Sequence, residues 1–378
     1  MIPYIVTFIL SLLFIGFSLS EKKHGKTKFS LILLIIGLLF PCLLAAFRNI
    51  NVGSDTRGYV YKYFEIASYT SNIFNYFKAM KVSFSCSDYL YLLIEFISGQ
   101  VFKNFRVLLF LSELLVIIPI YKSINLVSKK DSNIILGMFI FYFYFYNLTF
   151  NLSRQAIAIA FLTLSLAYRI NGQEKNNLKK SILFLTIGIF FHKTALLGII
   201  IHIIYNLFIT KKISVKTKQI IEFLIIIVSI LFVFNIENIL TFLTSTGIFE
   251  HAIQYWDLFK YDHLNIKFLT TAWSLFLIFN LKISNKKNLN TSFSSYLLIL
   301  DLILIQSAMF LNYIDRIALY FEIPAVFLSY SLLSIDNIKN ANKSDKIKLY
   351  IIIIGFILYW IFWYCVFNNN NTIPYKFF

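Results

Sequence analysis

Five groups of polar side chains interrupt an otherwise apolar chain, and their types limit the chemistry it can do. Arg48 closes one apolar run, Val52, Gly53, Ser54, Asp55 and Thr56 follow as a turn, and Arg57 and Tyr59 come next. Asp55 is spaced to orient either arginine. Asn151, Arg154 and Gln155 stand at the head of a second apolar run. An ionisable group at the start of a membrane helix is a functional hypothesis by default, and a helix N-terminus suits a phosphate. Phe191, His192, Lys193 and Thr194 form a turn between two short apolar runs. Histidine is the usual general base near neutral pH, and a neighbouring lysine disfavours its protonated form. Asn312, Tyr313, Asp315, Arg316, Tyr320 and Phe321 make the fourth group. The fifth interleaves His251, Tyr255, Trp256, Asp257, Tyr261, Asp262 and His263. Rings with neighbouring acids fit sugar recognition, through stacking on CH faces and hydrogen bonds from hydroxyls.

Each group also has a plain structural reading. The turn after Arg48 is equally a capped turn with an ion pair, and Arg154 can snorkel to the interface. His202 reads as a hydrogen-bonded packing residue, Asp315 as the neutraliser of Arg316, and the fifth group as an interfacial aromatic belt. Glu113, Asp301 and Glu322 are placed to face a bundle interior. The chain has no Walker motif, no GxGxxG, no CxxC and no HExxH, so nucleotide-driven and zinc chemistry find no support. Three widely spaced cysteines imply neither a disulfide framework nor a zinc site.

The elements that must position these residues are membrane spans. Of 378 residues, 58% are hydrophobic and 14% charged, and the mean hydropathy is +0.73. Soluble domains run at about 45–50% apolar and 25% charged. The composition therefore excludes a soluble globular protein, a disordered chain, a disulfide scaffold and a nucleic-acid-binding domain, despite a net charge of +17. An all-α polytopic membrane protein of about 12 transmembrane helices is expected. Spans are read near residues 2–19, 29–47, 104–121, 133–149, 152–170, 177–191, 194–209, 219–234, 266–281, 293–311, 317–334 and 348–367. The pair 177–191 and 194–209 is short enough for half-helices or a re-entrant hairpin. Residues 88–102 are apolar but are read as an interfacial helix, because counting them as a span inverts every later loop.

Charge tests this assignment. Six alternate loops, at 21–28, 122–130, 169–180, 211–218, 282–287 and 339–348, hold 22 of the 35 Lys and Arg residues. That bias puts them inside and both termini outside, with no cleavable signal peptide. The chain then reads as one membrane domain, 1–378, whose outer segments 48–103 and 235–265 have room for extramembrane structure. Five of the six arginines, Arg48, Arg57, Arg106, Arg154 and Arg316, fall on the outer side, whereas the inner loops use lysine. Lysine suffices for topology; arginine offers a planar fork matched to phosphate, so an outward-facing anion site is expected.

Arg48, Val52, Gly53, Asp55, Thr56 and Tyr59, followed in order by Asn151-x-x-Arg154-Gln155, Phe191-His192 and Arg316-x-x-x-Tyr320-Phe321, resemble the signatures of the EpsG-type polysaccharide polymerases within the broader Wzy class. The resemblance spans residues 45–325 and has no counterpart in the loop 235–265. It implies a membrane glycosyltransferase, metal-independent and without a cofactor, resembling the GT-C architecture and the O-antigen ligases. Such an enzyme polymerises O-antigen, capsule or exopolysaccharide at the outer face of the bacterial cytoplasmic membrane. It moves a glycan from undecaprenyl diphosphate to the non-reducing end of a lipid-linked repeat unit. The implied partners are that lipid-linked oligosaccharide, membrane lipid and a chain-length regulator, with no nucleic acid.

On this reading Arg154 and Arg316 bind the diphosphate and His192 is the candidate base. Arg48, Asp55, Arg57, Tyr59, Gln155 and Tyr320 line the substrate site. His251 and Asp55 are alternative bases if their loops fold inward. Two other readings compete: an O-antigen ligase, and a lipid-linked oligosaccharide flippase or other transporter. A transporter is expected to carry its charges along a central cavity and to show internal repeats, which are not evident here, and scarce Gly (12) and Pro (5) also weigh against hinged helices. A membrane scaffold and another membrane transferase, such as an acyltransferase, complete the set.

Overall fold

A computed structural model describes residues 1–128, 130–172, 175–207, 264–284, 289–307, 314–330 and 343–378, with isolated helical positions between 220 and 238. Among the described residues the chain is helical, and its one extended pairing is an isolated bridge between Arg48 and Phe377. Two compact units form: Met1–Leu196 with Tyr330–Phe378, and Leu197–Ser329.

The first unit opens with α1 (Ile2–Lys23) and α2 (Thr27–Ala46), which pack on each other. Their union needs no hydrophobic drive; it uses close approach and polar pairs. Ser18 Oγ donates to Ser30 O and Ser30 Oγ to Ser18 O, both at 2.8 Å. Val6, Ile9, Leu13, Phe17, Ile32 and Ile35 point outward and exposed, as a hydrocarbon surrounding requires. The segment 48–103 folds into three short helices, α3 (Tyr61–Tyr69), α4 (Ile73–Phe84) and α5 (Tyr89–Gln100). Twelve residues at 1.5 Å each span about 18 Å, too short for a bilayer core of about 30 Å.

Next come α6 (Phe105–Val127), α7 (Asp131–Ile140) and α8 (Tyr146–Thr149), with a π-helical stretch, Phe141–Phe145, joining the last two. Then follow α9 (Ser153–Asn171) and α10 (Lys175–Phe191). A single 3₁₀ turn, Lys193–Leu196, ends this run. α2 packs on α6, α6 on α9, and α9 on α10. In the second unit lie α11 (Leu197–Tyr205), α12 (Leu264–Ser284), α13 (Leu289–Ser307) and α14 (Ile314–Tyr330). There α12 packs on α13, and Ser274 Oγ donates to the buried Asp301 Oδ2 at 2.8 Å. The chain re-enters the first unit through α15 (Lys343–Trp360), which continues as a π-helical stretch, Ile361–Val366.

Among the described residues, four helical stretches, Ile2–Lys23, Thr27–Ala46, Phe105–Val127 and Lys346–Val366, are long and apolar enough to cross a membrane. The expected span at 219–234 (apart from isolated positions), the aromatic–acid group from His251 to His263, and Asn312 and Tyr313 lie outside the described residues.

The two ends of the first unit differ in charge. At one end, Lys23 pairs with Asp131 at 2.8 Å, and Lys122 and Lys180 lie over the Tyr168 ring at 5.7 and 5.4 Å. Helix alternation carries Arg48, Arg154 and His192 to the opposite end. Under them Tyr4, Phe8, Tyr142, Tyr146 and Trp360 make a closed aromatic core, with Phe8 stacked on Tyr142 at 5.0 Å and Tyr4 against Trp360 at 6.2 Å.

Candidate functional site

The loop after α2 is held by three devices. Gly53 has φ +94°, where a side chain is strained, and a Cβ there would lie 2.9 Å from Thr56 Oγ1 and 3.1 Å from Phe150 O. Thr56 is buried, and its hydroxyl donates to Val52 O at 3.1 Å. Asn151 then reaches across: its Oδ1 accepts from Ser54 Oγ at 3.0 Å and from the Asp55 amide at 3.2 Å, while its Nδ2 donates to Asn370 O at 3.0 Å. The first and second sequence groups, about a hundred residues apart, therefore form one layer.

Three residues on from Asn151, Arg154 lies in the first turn of α9. A cation at a helix N-terminus opposes the macrodipole, so the helix itself gives no reason for it. Its partners do. Nη1 donates to Asp88 Oδ2 at 2.9 Å and to Cys86 Sγ at 2.8 Å. The guanidinium lies over the rings of Tyr59 at 4.9 Å and Tyr63 at 5.8 Å. His192, at the end of α10, brings Nδ1 to 2.9 Å from the same Asp88 Oδ2. The turn Lys193–Leu196 also supplies a backbone donor to Asp88, from Lys193.

Asp88 is 5% exposed. Burial alone raises its carboxyl, but the hydrogen bond and charge of His192, the Arg154 guanidinium and the Lys193 backbone together hold it below the usual carboxylate range. Burial pushes the Cys86 thiol up, with Arg154 opposing, so the sulfur facing Arg154 is neutral. A second carboxyl, Glu95 on α5, is fully buried and accepts from Tyr76 Oη at 2.9 Å. Burial pushes it up to about 8, against the pull of Tyr76 and Arg154.

Chemically, the arrangement resembles the histidine–carboxylate half of a hydrolase triad. Where the ring is neutral with Nδ1–H directed at the anionic Asp88, Nε2 is left as a lone-pair acceptor. The His192 side chain is 26% exposed and that of Arg154 18%, so the imidazole and the fork reach the surface while their shared carboxylate does not.

The other expected site residues occupy varied positions. Tyr59 is half-buried beneath Arg154, and its hydroxyl donates to Asn151 O at 3.4 Å. Asp55 is half-buried, and Gln155 is buried. Arg57 is exposed and donates to Asn51 Oδ1 at 3.3 Å. Arg48 stands apart, 2% exposed, donating to Ala45 O at 3.0 Å and lying 4.1 Å over the Phe150 ring. With Glu113, Thr149 and Ser153 it lines a small cavity of about 10 Å³, room for one water. Arg316, half-buried, and Tyr320, buried, lie on α14 in the second unit.

Sequence reasoning missed Asp88, Cys86, Tyr63 and Glu95. Asp88 precedes an apolar run and reads as an ordinary N-cap. It does stand at the N-cap of α5, yet its side chain makes no cap hydrogen bond. That carboxylate is instead committed to residues 66 and 104 positions away. No local pattern carries those separations.

A family model described as the EpsG family matches residues 31–377, nearly the whole chain. No curated protein and no solved structure gives a significant match.

Proposed function

This chain belongs to the EpsG family, and from that premise we propose that it is a polysaccharide polymerase of about 12 membrane spans, GT-C-like and metal-independent, acting at the outer face of the bacterial cytoplasmic membrane. The observation that carries the reading is one carboxylate, Asp88, joined to a half-buried imidazole and a half-buried arginine fork at 2.9 Å each. The arginine-rich end opposite the lysine-rich end supports an outward-facing site.

The substrates are two undecaprenyl-diphosphate-linked glycans. A hydroxyl at the non-reducing end of the acceptor repeat unit attacks C1 of the donor sugar. The new C1–O bond forms as the C1–O bond to phosphate breaks, and undecaprenyl diphosphate leaves with the electron pair. His192 Nε2 takes the hydroxyl proton. Arg154 stabilises the charge that develops on the diphosphate, and the family resemblance gives Arg316 the same role. Asp55, Arg57, Tyr59, Gln155 and Tyr320 shape the glycan site, and Arg48 acts from beneath by holding the loop. A chain-length regulator remains a proposed partner.

Deleting the gene in its native host and resolving the surface glycan on a gel tests this reading. Loss of the long ladder, with a lipid acceptor bearing one repeat unit, is the expected result. Wild type restores the ladder, whereas Arg154→Ala and His192→Ala do not. Complete lipid-linked chains that never reach the surface acceptor identify a ligase instead. Absence of even a single displayed repeat identifies a flippase.

A further inference from the structure

We propose that Asp88 is a positioning residue that couples donor binding to base strength, holding His192 as the Nδ1–H imidazole while sharing the same oxygen with Arg154. This rests on the roles given above to His192 and Arg154, and adds a third residue that none of the sequence motifs contains. Asp88 Oδ2 accepts from both Arg154 Nη1 and His192 Nδ1 at 2.9 Å. A single buried oxygen cannot serve both partners equally in every state. With no donor bound, the guanidinium draws charge from the carboxylate and the imidazole receives only part of it. Arg154 Nε is buried without a hydrogen-bond partner, so the fork keeps a donor that neither Asp88 nor Cys86 uses, while the side chain as a whole is 18% exposed.

A diphosphate on Arg154 competes for that cation. The Asp88 charge is then directed to His192, and the ring becomes a stronger base when the leaving group is in place. The other groups around the carboxylate do not duplicate this effect. Cys86 and Glu95 are kept neutral by burial near pH 7, the Lys193 backbone contributes a fixed donor, and Tyr59 and Tyr63 offer ring faces to Arg154. Burial of Asp88 also keeps water from replacing either partner.

The test uses the purified full-length protein with undecaprenyl-diphosphate-linked repeat units extracted from the deletion strain. Asp88→Asn is isosteric but offers an amide where Oδ2 stood. It is expected to lower kcat by roughly 10²–10⁴-fold, the usual weight of general-base catalysis, without raising the donor KM. The acidic limb of the kcat/KM pH profile should shift to lower pH, because the imidazole loses its carboxylate. Asp88→Glu keeps the charge and is expected to recover part of kcat with the limb restored. In a His192→Gln background, Asp88→Asn should cost no further activity, since it acts through that ring.

Asp88→Asn with wild-type kcat and an unmoved limb overturns the proposal, as does an equal loss in the presence and absence of His192. If Asp88→Asn does not fold, Asp88→Glu decides: a wild-type limb with partial kcat supports coupling, and full loss with a raised donor KM overturns it. Retained activity in His192→Gln alone sinks the base assignment itself, a separate outcome visible in the same assay.

Discussion

At the scale of single residues, the buried carboxyls of α5 and its approach divide by their neighbours. Asp88 has a cation, an imidazole and a backbone donor, so it stays charged; Glu95 has a phenol and an apolar surround, so it does not. The Glu95 carboxyl sits at about 8 when folded against an ordinary 4.5. A folded value above the unfolded one contributes stability that is complete below pH 4.5, declines as pH rises through the interval and is gone above about 8. The whole swing is on the order of 5 kcal/mol. Glu95→Gln keeps an acceptor for Tyr76 and has nothing to ionise, so its unfolding temperature should vary less between pH 5 and 9. At pH 9 it should exceed wild type. Thermal unfolding in detergent at those two values measures this, and parallel curves for the two proteins contradict it. Asp88 carries the opposite sign: its contribution is lost only as pH falls below the ordinary carboxylate range.

At the scale of elements, the site depends on how closely α10 lies on α9. Gly188 is one turn before His192, whose amide donates to Gly188 O at 3.0 Å. A Cβ at Gly188 would lie 3.1 Å from Ala158 O and 3.5 Å from Phe161 Cβ, so α9 backbone fills the space. Gly188→Val therefore pushes the two helices apart and carries His192 away from Asp88. Overpacking of this kind costs about 1–3 kcal/mol, and polymerase activity should fall roughly tenfold or more. Gly188→Ala should lie between that variant and wild type in the same glycan-ladder assay. The helices themselves were legible: α9 matches the expected span 152–170 to within a residue or so, and α10 ends at the expected Phe191. Hydropathy and charge mark such boundaries because each span must satisfy its own backbone in lipid. Arg154 and His192 were also legible, as ionisable groups at span ends. Their pairing through Asp88 was not, because apolar periodicity fixes where a helix is and says nothing about which loop folds over its end.

At the scale of the molecule, the first unit is closed by both ends of the chain, a feature no motif announced. After the last helix, residues 368–378 run back across the outer loop instead of trailing away. Gly53 N donates to Asn371 O at 3.0 Å, Asn49 N to Lys376 O at 2.8 Å, and Asn147 Nδ2 to Thr372 Oγ1 at 3.0 Å. From the other end, Tyr4 Oη donates to Thr372 O at 2.7 Å, and Tyr375 Oη reaches Leu44 O at 2.6 Å. Thr372 is fully buried, so these are not surface contacts. The tail thus supplies acceptors for the backbone of the Gly53 turn and for the two asparagines that flank the α8–α9 corner. Removing it leaves donors buried without partners, at about 1–3 kcal/mol each. Deletion of residues 370–378 should leave the protein in the membrane fraction, since every span remains. It should nonetheless lower the unfolding temperature and shorten or abolish the glycan ladder, because Asn151 loses the Asn370 carbonyl and the loop bearing Asp55 loosens. Thr372→Val, which keeps shape but removes the Asn147 acceptor, should give a smaller loss in the same direction. A truncated protein with wild-type ladder length and melting would mean that the loop after α2 holds its shape through Gly53, Thr56 and Asn151 alone.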